Sequence, residues 1–473
     1  MSKTEKMLAI FGVTKEELRR LLSVALSKGG DYADIYFEHS ISNELNLRDS
    51  EVNGAGTHID YGVGIRVISG EGTGYAYTEI TTMKEMERAA RIAAAIATQG
   101  IVKSIPAEVK SPLFKERYRA EIPWDGITFS DRIPTLLELD SLVFQSDKRV
   151  IKVLAKITDS NTKILFFNSE GLLLSDERPM ASVTVTCIMQ HEGRTENSSS
   201  SRSFRMGYEM LSKEMVKEMA GEVIARTSLL FEAGRPLGGE MPVVMGAGSS
   251  GILLHEAIGH AFEADFNRMG TSIFSDKLGK KICSEDISVV DDGTIFANRG
   301  SITFDDEGIE SQKTYMVKDG ILNSYLHDRI SASYYKTAPT GNGRRESFRF
   351  MPLPRMRATY MESGKSKEED LIKSVKTGIF VNNFSNGQVQ IGAGDFTFFV
   401  KSGYLIEGGK LTRPIKDVNI IGNGPEALAD ITGIADNSFI DNGTWICGKE
   451  QYCAVSCGMP SVLVNKLTVG GVS

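Results

Sequence analysis

Gly246-Ala247-Gly248-Ser249-Ser250-Gly251-Ile252-Leu253-Leu254-His255-Glu256-Ala257-Ile258-Gly259-His260 follows the apolar run 243–245, and the fold class turns on how it is read. Its first six residues match the G-x-G-x-x-G fingerprint, in the strand–turn–helix context of a doubly wound dinucleotide fold. That fold also needs a parallel strand ending in an acid about 20 residues on. Asp276 instead lies in the polar run Ser275-Asp276-Lys277, and the helix carries two histidines and a glutamate where a dinucleotide helix is apolar or small. Glycines before a helix also serve simply to let strand and helix pack closely. A dinucleotide-binding oxidoreductase using residues 246–251 is therefore kept as an alternative, and the surrounding pattern decides the class.

Beyond residue 240 the chain is rich in hairpin signals: Asp292-Gly293, Asp319-Gly320, Asn386-Gly387, Gly408-Gly409 and Asn442-Gly443. Paired runs are expected at 287–290 with 294–296, 315–317 with 321–325, and 380–382 with 388–391. Helices are expected at 249–265 and 367–377. The C-terminal half thus reads as a large antiparallel sheet, curled like a barrel, that carries the helix with His255 and His260. Upstream, Thr14 and Glu17 form a capping box before Leu18, Leu21, Leu22, Ala25 and Leu26 at helical spacing. Strand-like runs follow at 33–38, 43–48, 61–69 and 74–79, then a helix opened by Thr82 and Glu85. The pattern repeats: a helix near 134–144, strands at 150–158, 163–167 and 181–190, a serine-rich loop or strand edge at 197–203, and a helix from 210 to 231. Gly234-Arg235-Pro236-Leu237-Gly238-Gly239 marks the boundary. The fold class is α+β, with domains at 1–233 and 234–473.

With 54 Lys+Arg against 61 Asp+Glu among 473 residues, the net charge is −7, and no Lys/Arg-rich run offers a phosphate-neutralising surface. No nucleic-acid partner is expected. Five scattered cysteines are not a disulfide framework and fit a reducing compartment. The apolar stretch 7–13 runs at once into Lys15, Glu16 and Glu17, unlike a secretory signal, and no segment has the roughly 20 apolar residues of a membrane span. A cytoplasmic protein without membrane contact is expected.

Only six histidines occur in the chain, and two of them bracket Glu256. The pattern is one residue longer than the His-Glu-x-x-His zinc helix. Four residues rotate about 40° on a regular helix and five about 140°, too far apart for one ion. A bulge at Gly259 would bring the imidazoles back together. A catalytic zinc needs a third ligand, for which Glu263, Asp265, His327 or a cysteine such as Cys447 qualifies, and Glu256 is placed to accept a proton from water.

The stretch 251–260, with Asp265-Phe266-Asn267-Arg268 and Gly270-Thr271-Ser272, resembles the TldD branch of the TldD/PmbA proteins. The likeness continues through Val289-Val290-Asp291-Asp292-Gly293-Thr294, Arg299-Gly300-Ser301-Ile302, Asp305-Asp306-Glu307-Gly308, residues 340–347, Pro354-Arg355-Met356, Cys447-Gly448-Lys449-Glu450 and residues 467–471. The resemblance implies a cytosolic metallopeptidase with Zn2+ on His255, His260 and Cys447, and Glu256 as general base. It also implies peptide or unfolded-protein substrates, and a second protomer that is either a PmbA-type paralogue or a copy of the chain. A non-catalytic binding subunit is the rival, against which the intact His-Glu-x-x-x-His stands. The departure is Gln451-Tyr452-Cys453 and Cys457, which are read as small buried residues. Arg344 and Arg345 are candidates for holding an oxyanion or a peptide terminus, or for a salt bridge to Asp305, Asp306 or Glu346.

Overall fold

The computed structural model describes residues 2–96, 105–106, 108–390 and 392–471; Ile391, expected to end a strand, lies outside them. Two short helices open the chain, α1 (Lys3–Phe11) and α2 (Lys15–Ala25). The expected capping box holds α2: Glu17 N–H donates to Thr14 Oγ1 at 3.2 Å, and Thr14 N–H to Glu17 Oε2 at 2.8 Å. Then follow β1 (Tyr32–Arg48), β2 (Glu51–Ser69), β3 (Gly72–Thr78), α3 (Met83–Ile96), α4 (Phe129–Ser146), β4 (Val150–Asn168), β5 (Leu173–His191), β6 (Arg194–Phe204) and α5 (Lys213–Glu232). The six strands form one antiparallel sheet in the order β3-β2-β1-β4-β5-β6.

Strand alternation gives this sheet two different faces. Ile35 and Phe37 of β1 enter a core with α1, α2 and α3, while Leu45 and Leu47 enter a second core with α4 and α5. Asp34, Tyr36 and Glu38 point the other way and meet the C-terminal half. Tyr36 Oη donates to Asp306 Oδ1 (3.3 Å), Phe348 N–H to Glu38 Oε2 (2.9 Å), and Arg66 Nη1 to Glu307 Oε1 (2.7 Å).

Several expected breaks are absent. The runs 33–38 and 43–48 form one strand, as do 150–158 and 163–167. The polar residues between the latter pair are satisfied across the sheet: Thr162 Oγ1 meets Ser40 Oγ at 2.9 Å, and Asn161 Nδ2 donates to Glu177 Oε1 at 2.9 Å. The serine-rich 197–203 lies in the edge strand β6.

After α5, β7 (Gly239–Met245) joins a closed five-stranded barrel with Thr377–Val389, Asp395–Glu407, Val418–Asn423 and Val462–Gly470. β7 runs parallel to Thr377–Val389 and antiparallel to Val462–Gly470, so the glycine-rich turn after it leaves a barrel and not a doubly wound sheet. A Cβ on Gly251 would lie 2.3 Å from the Gly458 nitrogen, so this glycine serves close packing. A second sheet follows the order Ile321–Leu322, Lys313–Lys318, Val289–Asp292, Ala358–Met361, Ser456–Met459, Phe439–Asp441.

Asp319-Gly320 and Gly408-Gly409 are hairpin turns as expected. Asn386-Gly387 is not, because Thr377–Val389 runs straight through it; the missing Cβ of Gly387 makes room for the Phe398 ring, 2.1 Å from where that carbon would sit. Nor does Asp292-Gly293 close a hairpin with 294–296. Asp292 Oδ1 accepts from Thr294 N–H at 2.8 Å, turning the chain away, and Val289–Asp292 pairs with Lys313–Lys318. Asn442-Gly443 joins strands with different partners. No described helix is long and apolar enough to cross a membrane.

Candidate metal centre

The helix after β7 changes pitch as it runs. It opens as an α-turn at Gly251–Leu254, widens to a π-turn at His255–Gly259, tightens to 3-10 at His260–Phe262 and breaks at Glu263. The His260 N–H reaches the His255 carbonyl, five residues back. A π-turn is a one-residue insertion, so five residues here do the angular work of four on a regular helix. The imidazole centroids are consequently 5.2 Å apart, with ring planes at 80°.

Gly259 permits this. A Cβ there would sit 2.4 Å from Met356 Sδ, in a fully buried contact. Cys447 arrives on Ile446–Lys449, paired in a short hairpin with Gln451–Ala454. Its Sγ is 3.2 Å from His260 Nε2, and one ligand atom each from His255, His260 and Cys447 falls within 4.8 Å of the others.

All three side chains are buried. Among the described residues both ring nitrogens of His255 lack a hydrogen-bond partner, an uncompensated cost in a buried polar group that a metal ion would remove. His260 uses Nδ1 on Glu263 Oε2 (3.0 Å), which leaves Nε2 turned to the thiol. Two imidazoles and a thiol are a donor set suited to zinc. Burial pushes the Cys447 thiol up, but the neighbouring His255 and His260 outweigh it and bring its pKa down to about 5. Burial alone would lower the pKa of His260; the Glu263 carboxylate overrides that and holds it well above its ordinary value.

Glu263, considered as a ligand, lies behind His260. It is fully buried; Lys449 Nζ donates to it at 3.1 Å, and Arg355 Nε approaches to 3.9 Å. Burial raises its pKa, but Lys449, His260 and Arg355 together bring it to about 2. Asp265 takes the other side of Lys449, at 2.7 Å. His327 is buried outside the cluster, its ring near Tyr325 and Tyr335. Glu256 keeps about a quarter of its side chain open, and its Oε2 lies 4.0 Å from His260 Nε2. Cys453 is directly opposite Cys447 in the hairpin and accepts from Arg355 Nη1 at 3.5 Å; Cys457 is fully buried.

The two arginines of the Gly-bracketed loop turn inward. Arg344 binds the carbonyls of Met356 and Ala454, and Arg345 binds the Asp306 carbonyl (3.0 Å) with Asp34 at 3.7 Å. Lys449 and Arg355 were not singled out for a site role from sequence. Arg355 donates to the Cys447 carbonyl at 2.8 Å, fixing the strand that carries the thiol. The readable signal was the i+2 position of Lys449, which shares a strand face with Cys447.

Family models described as PmbA/TldA metallopeptidase domain 1, central domain and C-terminal domain match residues 33–97, 122–231 and 238–471. A metalloprotease TldD homolog from Buchnera aphidicola is 37% identical over 479 residues, covering 99% of this chain and 98% of the relative. One from Haemophilus influenzae is 37% identical over 470 residues, covering 98% and 97%. A zinc metalloprotease TldD homolog from Saccharolobus solfataricus is 27% identical, covering 94% and 97%. Among solved structures, TldE from Thermococcus kodakarensis superposes with a TM-score of 0.74 at 18% identity, covering 96% of this chain and all of that one, a likeness of fold. With three models along its length and 37% identity end to end, the chain belongs to the PmbA/TldD metallopeptidase family.

Proposed function

We propose that the protein is a zinc-dependent peptidase acting on unstructured peptides or unfolded protein segments, with His255, His260 and Cys447 holding the metal and Glu256 as general base. The observation that carries this is the convergence of the three ligand atoms within 4.8 Å beside a partly open glutamate. Zinc bound there would supply Lewis acidity to the scissile carbonyl and the attacking water. Glu256 accepts a proton from that water and passes it to the departing amine. Glu263, braced by Lys449, keeps the His260 proton on Nδ1 and its Nε2 free. Arg355 holds the backbone of Cys447. Arg344 and Arg345 act as internal braces in this reading, since their guanidiniums are taken up by the protein.

The name of the Saccharolobus relative supports zinc in particular. A second protomer, either a PmbA-type paralogue or another copy, a cytoplasmic location and the division at residues 233/234 belong to the same proposal. Metal analysis with a peptide-cleavage assay tests the reading. Glu256→Gln is expected to retain zinc and lose roughly 100-fold or more in cleavage, whereas Cys447→Ser loses zinc. Cleavage by Glu256→Gln at the wild-type rate would overturn it.

A further inference from the structure

Most buried arginines here have a carboxylate: Arg66 has Asp34 and Glu307, Arg132 has Asp159, and Arg178 has Asp306. Four others do not. Arg205, Arg299, Arg344 and Arg357 are each at least nine-tenths buried, and none has a carboxylate oxygen within 4.0 Å among the described residues. Among the described residues Arg205 Nε and both terminal nitrogens of Arg357 lack a hydrogen-bond partner. Asp291 and Asp305 lie near Arg357 but spend their oxygens on other donors: Asp291 on Asn342, Thr359 and the Arg357 N–H, Asp305 on the N–H groups of Glu307, Ile309 and Gly343. Burying charge without a counter-charge is costly, and these guanidiniums are short of negative charge.

Arg299 lines a cavity. Its Nε donates to the Trp445 carbonyl (3.0 Å) and its Nη1 to Ser203 Oγ (2.6 Å) and Ser182 Oγ (3.3 Å), which fixes the guanidinium and leaves Nη2 without an acceptor among the described residues. The cavity, about 640 Å³, is lined by Arg299 and by residues of β1, β2, β4 and β5, Ser42, Thr158, Ser160 and Ser182 among them. The two acids on its wall are already paired, Glu44 with Lys156 and Asp159 with Arg132. Trp445 is two residues from Cys447, about 7 Å of extended chain.

We propose that this cavity is a carboxylate-binding subsite for the peptide substrate, in which Arg299 holds an acidic side chain or the C-terminal carboxylate a few residues from the scissile bond. Identifying the ligand as a peptide rests on the peptidase reading above. Burial, and then Arg205 and Arg344, bring the Arg299 pKa down to about 10, in keeping with a guanidinium short of negative charge.

The test uses zinc-loaded full-length Glu256→Gln and fluorescence anisotropy with labelled alanine-based hexapeptides. The set carries one Asp or one Asn at each position in turn, with a free or amidated C-terminus. Carboxylate-bearing peptides are expected to bind at least tenfold tighter than their neutral counterparts. Preference for internal Asp identifies side-chain recognition, and preference for the free end identifies terminal recognition. Ser182→Asp, which puts a carboxylate beside Arg299, is expected to reduce the ratio to about one, and Ser160→Asp serves if that variant does not fold. Equal affinities across the set, or an acidic preference that survives the variant, would overturn the proposal. Wild-type cleavage of the same peptides is scored separately. Tight binding without cleavage counts against the peptidase reading and leaves the carboxylate site standing.

Discussion

Gly259 offers a sharp test of how the two histidines are brought together. Its backbone is right-handed helical (φ −60°, ψ −48°), so alanine is conformationally acceptable and would gain up to about 1 kcal/mol in helix propensity. Opposing this, the new Cβ would lie 2.4 Å from Met356 Sδ and 3.3 Å from the Leu254 carbonyl, with Met356 fully buried. Overpacking of this kind costs about 1–3 kcal/mol. Gly259→Ala is therefore expected to be neutral to about 3 kcal/mol destabilising, and to weaken zinc binding as the π-turn shifts. Met356→Ala alone opens a cavity and costs about 2–5 kcal/mol. On that background the sulfur contact is gone and only the 3.3 Å approach to the Leu254 carbonyl remains, so adding Gly259→Ala is expected to stabilise by up to about 1 kcal/mol. The coupling of about 1–3 kcal/mol reverses the sign of the glycine substitution. Scanning calorimetry of the metal-free variants reads it as melting-temperature differences, suited to a chain too large for a two-state treatment. An equal drop in melting temperature on both backgrounds would show that Met356 is not the reason position 259 is glycine.

Glu263→Gln should bind zinc roughly 10–100-fold more weakly in a chelator competition, because it loses the charge that orients His260 and faces Lys449. Glu38 makes stability pH-dependent: burial and then Asp306 raise its pKa to about 8 in the folded chain. A carboxyl raised on folding takes up a proton, so its contribution falls as pH rises from about 4.5 to about 8. Glu38→Gln is expected to flatten the melting-temperature profile over that window, and an unchanged slope would assign the dependence to other groups. Thr14→Ala, which removes one side of the α2 capping box, should cost about 1 kcal/mol in a thermal melt without changing zinc content.

Local chemistry made the helices of the N-terminal half readable, since Thr14, Glu17 and the leucine spacing act within one element. Strand lengths were not, because Ser160-Asn161-Thr162 and Asn386-Gly387 look like turns until their cross-sheet partners are known. Within the site, the residue types and the need for a distortion at Gly259 could be read from spacing. The third residue of the cluster could not, because Cys447 is 187 residues from His260, and singling it out over Glu263 or His327 needed the family likeness. Arg344 shows the same limit in reverse: a loop position suggests an exposed cation, whereas its acceptors, the Met356 and Ala454 carbonyls, are set by tertiary packing.

The charged seam between the sheet and the C-terminal half also bears on how the chain is made. Arg66 meets Glu307 241 residues later, which at about 5–20 residues per second is roughly 12–50 seconds of ribosomal synthesis. Throughout that interval the sheet face bearing Asp34, Tyr36, Glu38 and Arg66 waits without its cover. That face is mixed: Ile164, Phe166 and Leu174 share it and pack on Phe304 and Phe348 once these emerge, so the charged groups beside them are what keeps the waiting surface hydrated.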